Sequence, residues 1–161
     1  MWRMKKDVAP RWREMSVEER SRAYSPSSVL DGDLDPYIQG YIDKSISAYK
    51  ACSNIKLLKY GPLEANSIDL VLPVDSSTHE PVPLLAFIHG GYWQELSKRE
   101  AFFPARNVLS KGMGFAAIDY SLTPAVSIDE IISECVEAIA FLNQAALAYG
   151  YDPKKIILSG S

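Results

Sequence analysis

Five residues, His89-Gly90-Gly91-Tyr92-Trp93, directly follow Pro83-Leu84-Leu85-Ala86-Phe87-Ile88, a run that reads as a buried strand. A strand that empties into two glycines leaves bare backbone N–H groups at the end of a sheet, and such donors suit an oxyanion developing on a carbonyl under attack. Glycine lets the backbone approach the reacting atom closely. A second run, Ile156-Ile157-Leu158-Ser159-Gly160-Ser161, has the form of a strand entering a G-x-S-x-G turn, on which a serine is exposed as nucleophile. For Ser161 to be that serine, position 159 should be glycine, and it is Ser159. Ser161 then takes the x position, and the nucleophile is expected immediately after it.

The other candidates read as structural. Asp119, at the end of a strand, invites a role as acid, base or triad carboxylate. In G-x-S-x-G enzymes the triad acid follows the serine, whereas Asp119 precedes it. Asp119 is therefore expected to hydrogen-bond locally and set the turn into Tyr120-Ser121-Leu122-Thr123-Pro124. His89, beside the glycines, is expected to brace the loop and not to act as the base. His79, among Ser, Thr, Glu and Pro, reads as a solvent-exposed loop residue. Tyr92 and Trp93 could wall an aromatic pocket, and Trp93 could equally pack behind the loop. Without a nucleophile, triad acid or triad histidine, no Ser-His-Asp constellation assembles from these residues.

The elements that must position this chemistry alternate. Ser16-Val17-Glu18-Glu19 has capping-box form, opening a short helix to about Ala23 before Pro26. Residues 37–50 read as a longer helix. Residues 54–60 and 67–72 alternate as two strands joined at Gly61-Pro62, with Pro73 closing the second, and together they form an antiparallel edge. After a loop over 75–81 marked by Ser76, Ser77 and Thr78, the pattern becomes β-α-β-α-β. Ser97-Lys98-Arg99-Glu100 predicts a helix to Gly112, kinked or split by Pro104. Residues 114–120 read as a strand covered on both faces. Ser127-Ile128-Asp129-Glu130 opens the most periodic helix, whose stripe is Ile128, Ile131, Ile132, Cys135, Val136, Ile139 and Ala140, with Gly150 as its stop. Asp152-Pro153 reads as a turn before a strand over 155–159. The expected domains are a helical prefix, 1–53, and an α/β unit, 54–161, with a mostly parallel sheet flanked by helices.

Composition bounds the function. The chain has 161 residues, 47% hydrophobic and 23% charged, with a net charge of −3. That is ordinary globular material, with no broad basic field for nucleic acid or anionic lipid. The basic residues Arg3, Lys5, Lys6, Arg11 and Arg13 are interrupted by Asp7 and Glu14, which argues against a targeting presequence. The longest uninterrupted apolar runs, Leu84 to Ile88 among them, are far short of the roughly 20 residues of a membrane span. Cys52 and Cys135 lack C-x-x-C spacing and read as reduced core thiols in helices, consistent with a cytoplasmic protein. No metal cluster or G-x-G-x-x-G is present, so no cofactor is implied.

These motifs carry a resemblance. The chain resembles the kynurenine formamidase (arylformamidase) family of the α/β-hydrolase fold, whose H-G-G-x-W motif is matched from His89 to Trp93. Met15-Ser16-x-Glu18-Glu19 with Tyr24-Ser25-Pro26, Ile68-Asp69-Leu70-Val71-Leu72-Pro73, and Phe87 through Gln94 look like the family's stretches in the same order. The resemblance implies an oxyanion hole from the N–H groups of Gly90 and Gly91, with Tyr92 as a further donor, and substrate contacts at Tyr92 and Trp93. It implies release of formate from N-formyl-kynurenine in tryptophan breakdown, a triad histidine near the end of the full chain, and a 161-residue chain that is the inactive N-terminal part of the enzyme. A carboxylesterase, or a non-catalytic fragment that only binds a ligand or partner subunit, is the competing reading. The expected partner is a small aromatic formamide or ester, without nucleic acid or membrane, and a homodimer stays open.

Overall fold

The structure is a computed structural model that describes residues 11–25, 28, 33–74 and 80–161. Pro26, His79, Ser76, Ser77, Thr78, Arg3, Lys5 and Lys6 lie outside the described residues, and with them the readings placed there. The chain divides into two compact units, Met1–Tyr37 and Ile38–Ser161.

In the first unit a single 3-10 turn, Arg11–Arg13, precedes helix α1, Val17–Tyr24. The expected capping box forms: the Ser16 hydroxyl accepts from the Glu19 N–H, and the Glu19 carboxylate accepts from the Ser16 N–H. Helix α2 spans Asp35–Ala51, and from Ile38 onward it belongs to the second unit.

The second unit is built on a five-stranded sheet: β1 (Lys56–Lys59), β2 (Ser67–Val71), β3 (Val82–Ile88), β4 (Gly114–Ile118) and β5 (Tyr151–Gly160). Their spatial order is β1-β2-β4-β3-β5. The first two pairings are antiparallel, and β4-β3 and β3-β5 are parallel. The expected antiparallel pair therefore forms, but only β1 lies at the edge, because β4 pairs with the other side of β2.

Strand alternation divides the core in two. Ile68, Leu70, Leu84, Ala86, Ala116 and Ile118 face helix α4, Ile128–Tyr149, and meet its Ala138, Leu142 and Ala146. Val71, Phe87, Phe115 and Ala117 face the other way, toward Ala48 of α2 and toward Phe102 and Ala105.

Helix α4 carries its predicted capping box at Ser127 and Glu130, and ends on Gly150 at φ 94°. Its stripe is wider than its buried face. Ile131 is buried, whereas Ile128, Ile132 and Val136 are exposed. By length and composition this helix could cross a membrane, its mean hydropathy reaching 1.4. No unbroken apolar run marks it in the sequence, because Glu130, Glu134 and Glu137 interrupt the helix.

Three expectations need correction. Residues 97–104 turn without forming an α-helix, and α3 covers only Ala105–Leu109, with Pro104 at its start. A helix through this stretch would need the Pro104 N–H that proline lacks. The Glu100 carbonyl, which would have accepted from it, instead takes the Ser45 hydroxyl at 2.7 Å. Strand β5 begins at Tyr151, before Asp152-Pro153. The expected turn survives as a bulge inside it, since Val82 pairs with Tyr151 but Leu84 pairs with Ile156. Cys52 falls just past the end of α2 and is only half-buried.

Candidate active site

The parallel register brings the chemistry-bearing strand ends together. Ile88 pairs with Gly160, so His89-Gly90-Gly91 and Ser161 emerge side by side at the C-terminal edge of the sheet. The approach is close: a Cβ on Gly90 would lie 2.8 Å from the Ser161 carbonyl oxygen and 2.9 Å from its hydroxyl. Only glycine fits at that distance. Gly91, at φ 109°, is doubly constrained, because a Cβ there would also overlap the Glu95 carbonyl oxygen.

Beyond Gly91 the chain folds back on itself, with the Gly91 carbonyl accepting from the N–H groups of Gln94 and Glu95 at 3.0 Å each. Tyr92, Trp93 and Leu96 all take positive φ, at 56°, 64° and 67°. Among the described residues, no loop or turn hydrogen bond uses the N–H of Gly90, Gly91 or Tyr92 as its donor.

This loop is held from the segment after β4. The Tyr120 hydroxyl donates to the His89 carbonyl at 2.8 Å, and the two rings stack 4.1 Å apart at 4°. The Thr123 N–H donates to the Trp93 carbonyl at 2.8 Å, and its hydroxyl does so at 3.2 Å. The segment is itself anchored: Glu134 of α4 accepts from the Ser121 N–H at 2.7 Å, and the Tyr60 hydroxyl donates to the Asp119 carbonyl at 2.7 Å. Burial lifts the Tyr120 phenol to about 12, so the clamp stays an intact O–H donor at neutral pH.

His89 is buried, with Nδ1 2.7 Å from the Gly90 carbonyl oxygen. Its Nε2 lies 3.2 Å from Asp119 Oδ1, an ion-pair distance, yet the alignment is outside hydrogen-bond geometry and leaves this nitrogen without a hydrogen-bond partner. Asp119 Oδ1 also accepts from the Lys98 N–H at 3.4 Å.

The loop opens onto a cavity of about 890 Å³. Its floor is His89 to Trp93 and Tyr120, one wall is the Leu158 to Ser161 strand end, and the other is α4 through Ile131, Ile132, Cys135, Val136 and Ile139. That size suits a small organic ligand. Tyr92 and Trp93, with rings 5.3 Å apart, are 48% and 46% exposed, and both line the cavity. Burial, with neighbouring Glu134 adding to it, pushes the Cys135 thiol up, which keeps it protonated and a poor nucleophile. Among the described residues, no three His, Cys, Asp or Glu side chains gather to hold a metal ion.

A third anchor was not legible beforehand. Lys98, only 7% exposed, places Nζ 2.9 Å from Asp69 Oδ1 and 2.8 Å from the Ser67 hydroxyl on β2. Tyr49 of α2 donates to Asp69 Oδ2 at 2.6 Å. Burial and the Asp69 carboxylate push the Tyr49 phenol well above its ordinary value. The sequence signal was a charged residue inside a strand, Asp69 between the apolar Ile68 and Leu70.

Comparison with known proteins gives the family. A family model described as BD-FAE matches residues 68–161, more than half of the chain. The chain belongs to the BD-FAE family. The kynurenine formamidase of Danio rerio is 30% identical over 138 residues, covering 83% of this chain and 46% of that protein. The kynurenine formamidase of Salmo salar is 28% identical over 139 residues, covering 83% and 47%. The isoprenylcysteine alpha-carbonyl methylesterase ICME of Arabidopsis thaliana is 25% identical over 121 residues, covering 75% and 28%. Among solved structures, a candidate thioesterase from Silicibacter superposes with a TM-score of 0.71 at 30% identity, covering 86% of this chain and 49% of that one. The fold is that of the α/β-hydrolases. The chain spans about half the length of the kynurenine formamidases it matches.

Proposed function

We propose that the 89–93 loop is the oxyanion hole of a serine hydrolase of the kynurenine formamidase type, acting on N-formyl-kynurenine. One observation carries this reading: among the described residues no loop or turn hydrogen bond uses the N–H of Gly90, Gly91 or Tyr92, and these three residues line the cavity beside the strand end at Gly160. The formamidases among the relatives support the substrate class.

A serine hydroxyl, in the position after Ser161 in the complete enzyme, attacks the formyl carbon and gives its proton to a triad histidine. The carbonyl π electrons move to oxygen, which the three N–H groups stabilise. Collapse breaks the C–N bond, the arylamine leaves with that proton, and water then releases formate. One preorganised donor of this kind is worth about 3 kcal/mol. Tyr92 and Trp93 would contact the aryl ring, and His89 braces the loop.

The methylesterase among the relatives favours a carboxylesterase as the second reading. Kinetics with N-formyl-kynurenine and a p-nitrophenyl ester, side by side on the complete enzyme, decide between them: formamidase activity at least tenfold higher in kcat/KM supports the first reading, and the reverse order replaces it. The 161-residue chain alone should hydrolyse neither above a buffer control. Stoichiometric fluorophosphonate labelling that Ser161→Ala abolishes would instead make Ser161 the nucleophile.

A further inference from the structure

We propose that Lys98 is a positioning residue for the oxyanion loop: its buried ion pair with Asp69 fixes the far end of residues 89–98 on the sheet and so sets the direction of the Gly90, Gly91 and Tyr92 N–H groups. The catalytic consequence rests on the hydrolase reading, whereas the geometric content stands independently of it.

Two observations carry the inference. The loop holds Gly91 and three non-glycine residues, Tyr92, Trp93 and Leu96, at positive φ. Such backbone persists only where its surroundings over-determine it. Tyr120 and Thr123 supply that constraint at His89 and Trp93, but neither reaches the segment beyond Leu96. Lys98 does, in three directions. Its ammonium meets Asp69 and Ser67, Asp69 is completed by Tyr49, and its own N–H reaches Asp119 Oδ1, the oxygen that faces His89 Nε2 at the start of the loop. Both ends of the loop thus converge on one carboxylate.

The pair is also poorly explained by stability. Desolvating an ammonium and a carboxylate offsets most of their attraction, and an apolar pair of similar volume would serve packing as well. What an apolar pair cannot do is fix a direction, since dispersion is indifferent to small rotations whereas a 2.9 Å ion pair is not.

The test uses the full-length protein with glycine amides labelled for NMR and steady-state kinetics in parallel. Lys98→Met leaves Asp69 uncompensated and could unfold the protein, so the deciding variant is Lys98→Met/Asp69→Leu, which buries no unpaired charge. In the double variant the Gly90 and Gly91 amide resonances should shift or broaden while those of Gly112 and Gly150 hold. With that, kcat should fall about tenfold or more with KM within about twofold, the pattern of a displaced oxyanion donor. Unchanged Gly90 and Gly91 resonances overturn the inference whatever the activity. If the wild-type enzyme hydrolyses no formamide or ester but these resonances respond, the positioning role stands and the hydrolase reading falls.

Discussion

Gly91 is the residue at which chemistry and backbone are least separable. With φ at 109° and no room for a Cβ against the Glu95 carbonyl, Gly91→Val must move the loop, and turnover in the complete enzyme should fall by at least about 100-fold, measured as kcat. Asp119→Asn should act differently. Asp119 is assigned no proton transfer, and its contacts are to the Lys98 N–H and the His89 ring. We expect a loss of about 1–2 kcal/mol in denaturant unfolding with kcat within a few-fold. The glycines were readable from sequence because a strand-to-glycine transition is a local signal. Lys98 was not, since its S-x-x-E context reads as a helix start and its partner Asp69 lies 29 positions away. A pairing of that kind is set by which strands become neighbours, and no local window contains it.

Among the elements, two S-x-x-E sequences make the comparison. Ser127 and Glu130 form a complete box and open a 22-residue helix, while Ser97 and Glu100 bond side chain to side chain at 2.7 Å and open none. The difference lies downstream: Pro104 denies the second segment a helical bond, and Lys98 and Ala101 are drawn into the interior. Ser127→Ala should therefore cost about 1 kcal/mol in unfolding free energy, and Ser97→Ala less than half of that. The strands of the α/β unit, the long helix and its Gly150 stop were legible because periodicity and caps agree there. The bulge in β5 was not, because Pro153 reads as a terminator when only the local chain is considered.

At the scale of the molecule, four tyrosine hydroxyls tie the layers together, Tyr49 to Asp69, Tyr60 to the Asp119 carbonyl, Tyr120 to the His89 carbonyl and Tyr151 to the Leu142 carbonyl. Burial raises all four phenols, Tyr120 and Tyr151 to about 12. A raised phenol binds its proton more tightly when folded. The stability it contributes is full below the unfolded value of 10.0 and is lost as pH climbs from there to about 12. Tyrosinate absorbance should accordingly show these four titrating only together with loss of near-ultraviolet circular dichroism, and smooth titration of all nine tyrosines in a folded protein would contradict the hydrogen bonds. The outer edge of β5, unpaired among the described residues and carrying exposed Ile157 and Leu158, should make the 161-residue chain self-associate with concentration. Ile157→Lys should reduce the light scattering.

The sheet also separates two kinds of inheritance. The cavity wall is apolar and comes from α4, on one face, whereas the buried charges beneath the loop lie on the other, with Asp69 and Lys98. Changes at Ile132, Val136 or Cys135 can reshape what the cavity admits without touching what aims the amides. A directed-evolution library can thus vary what the cavity admits while the backbone of the proposed oxyanion loop stays fixed.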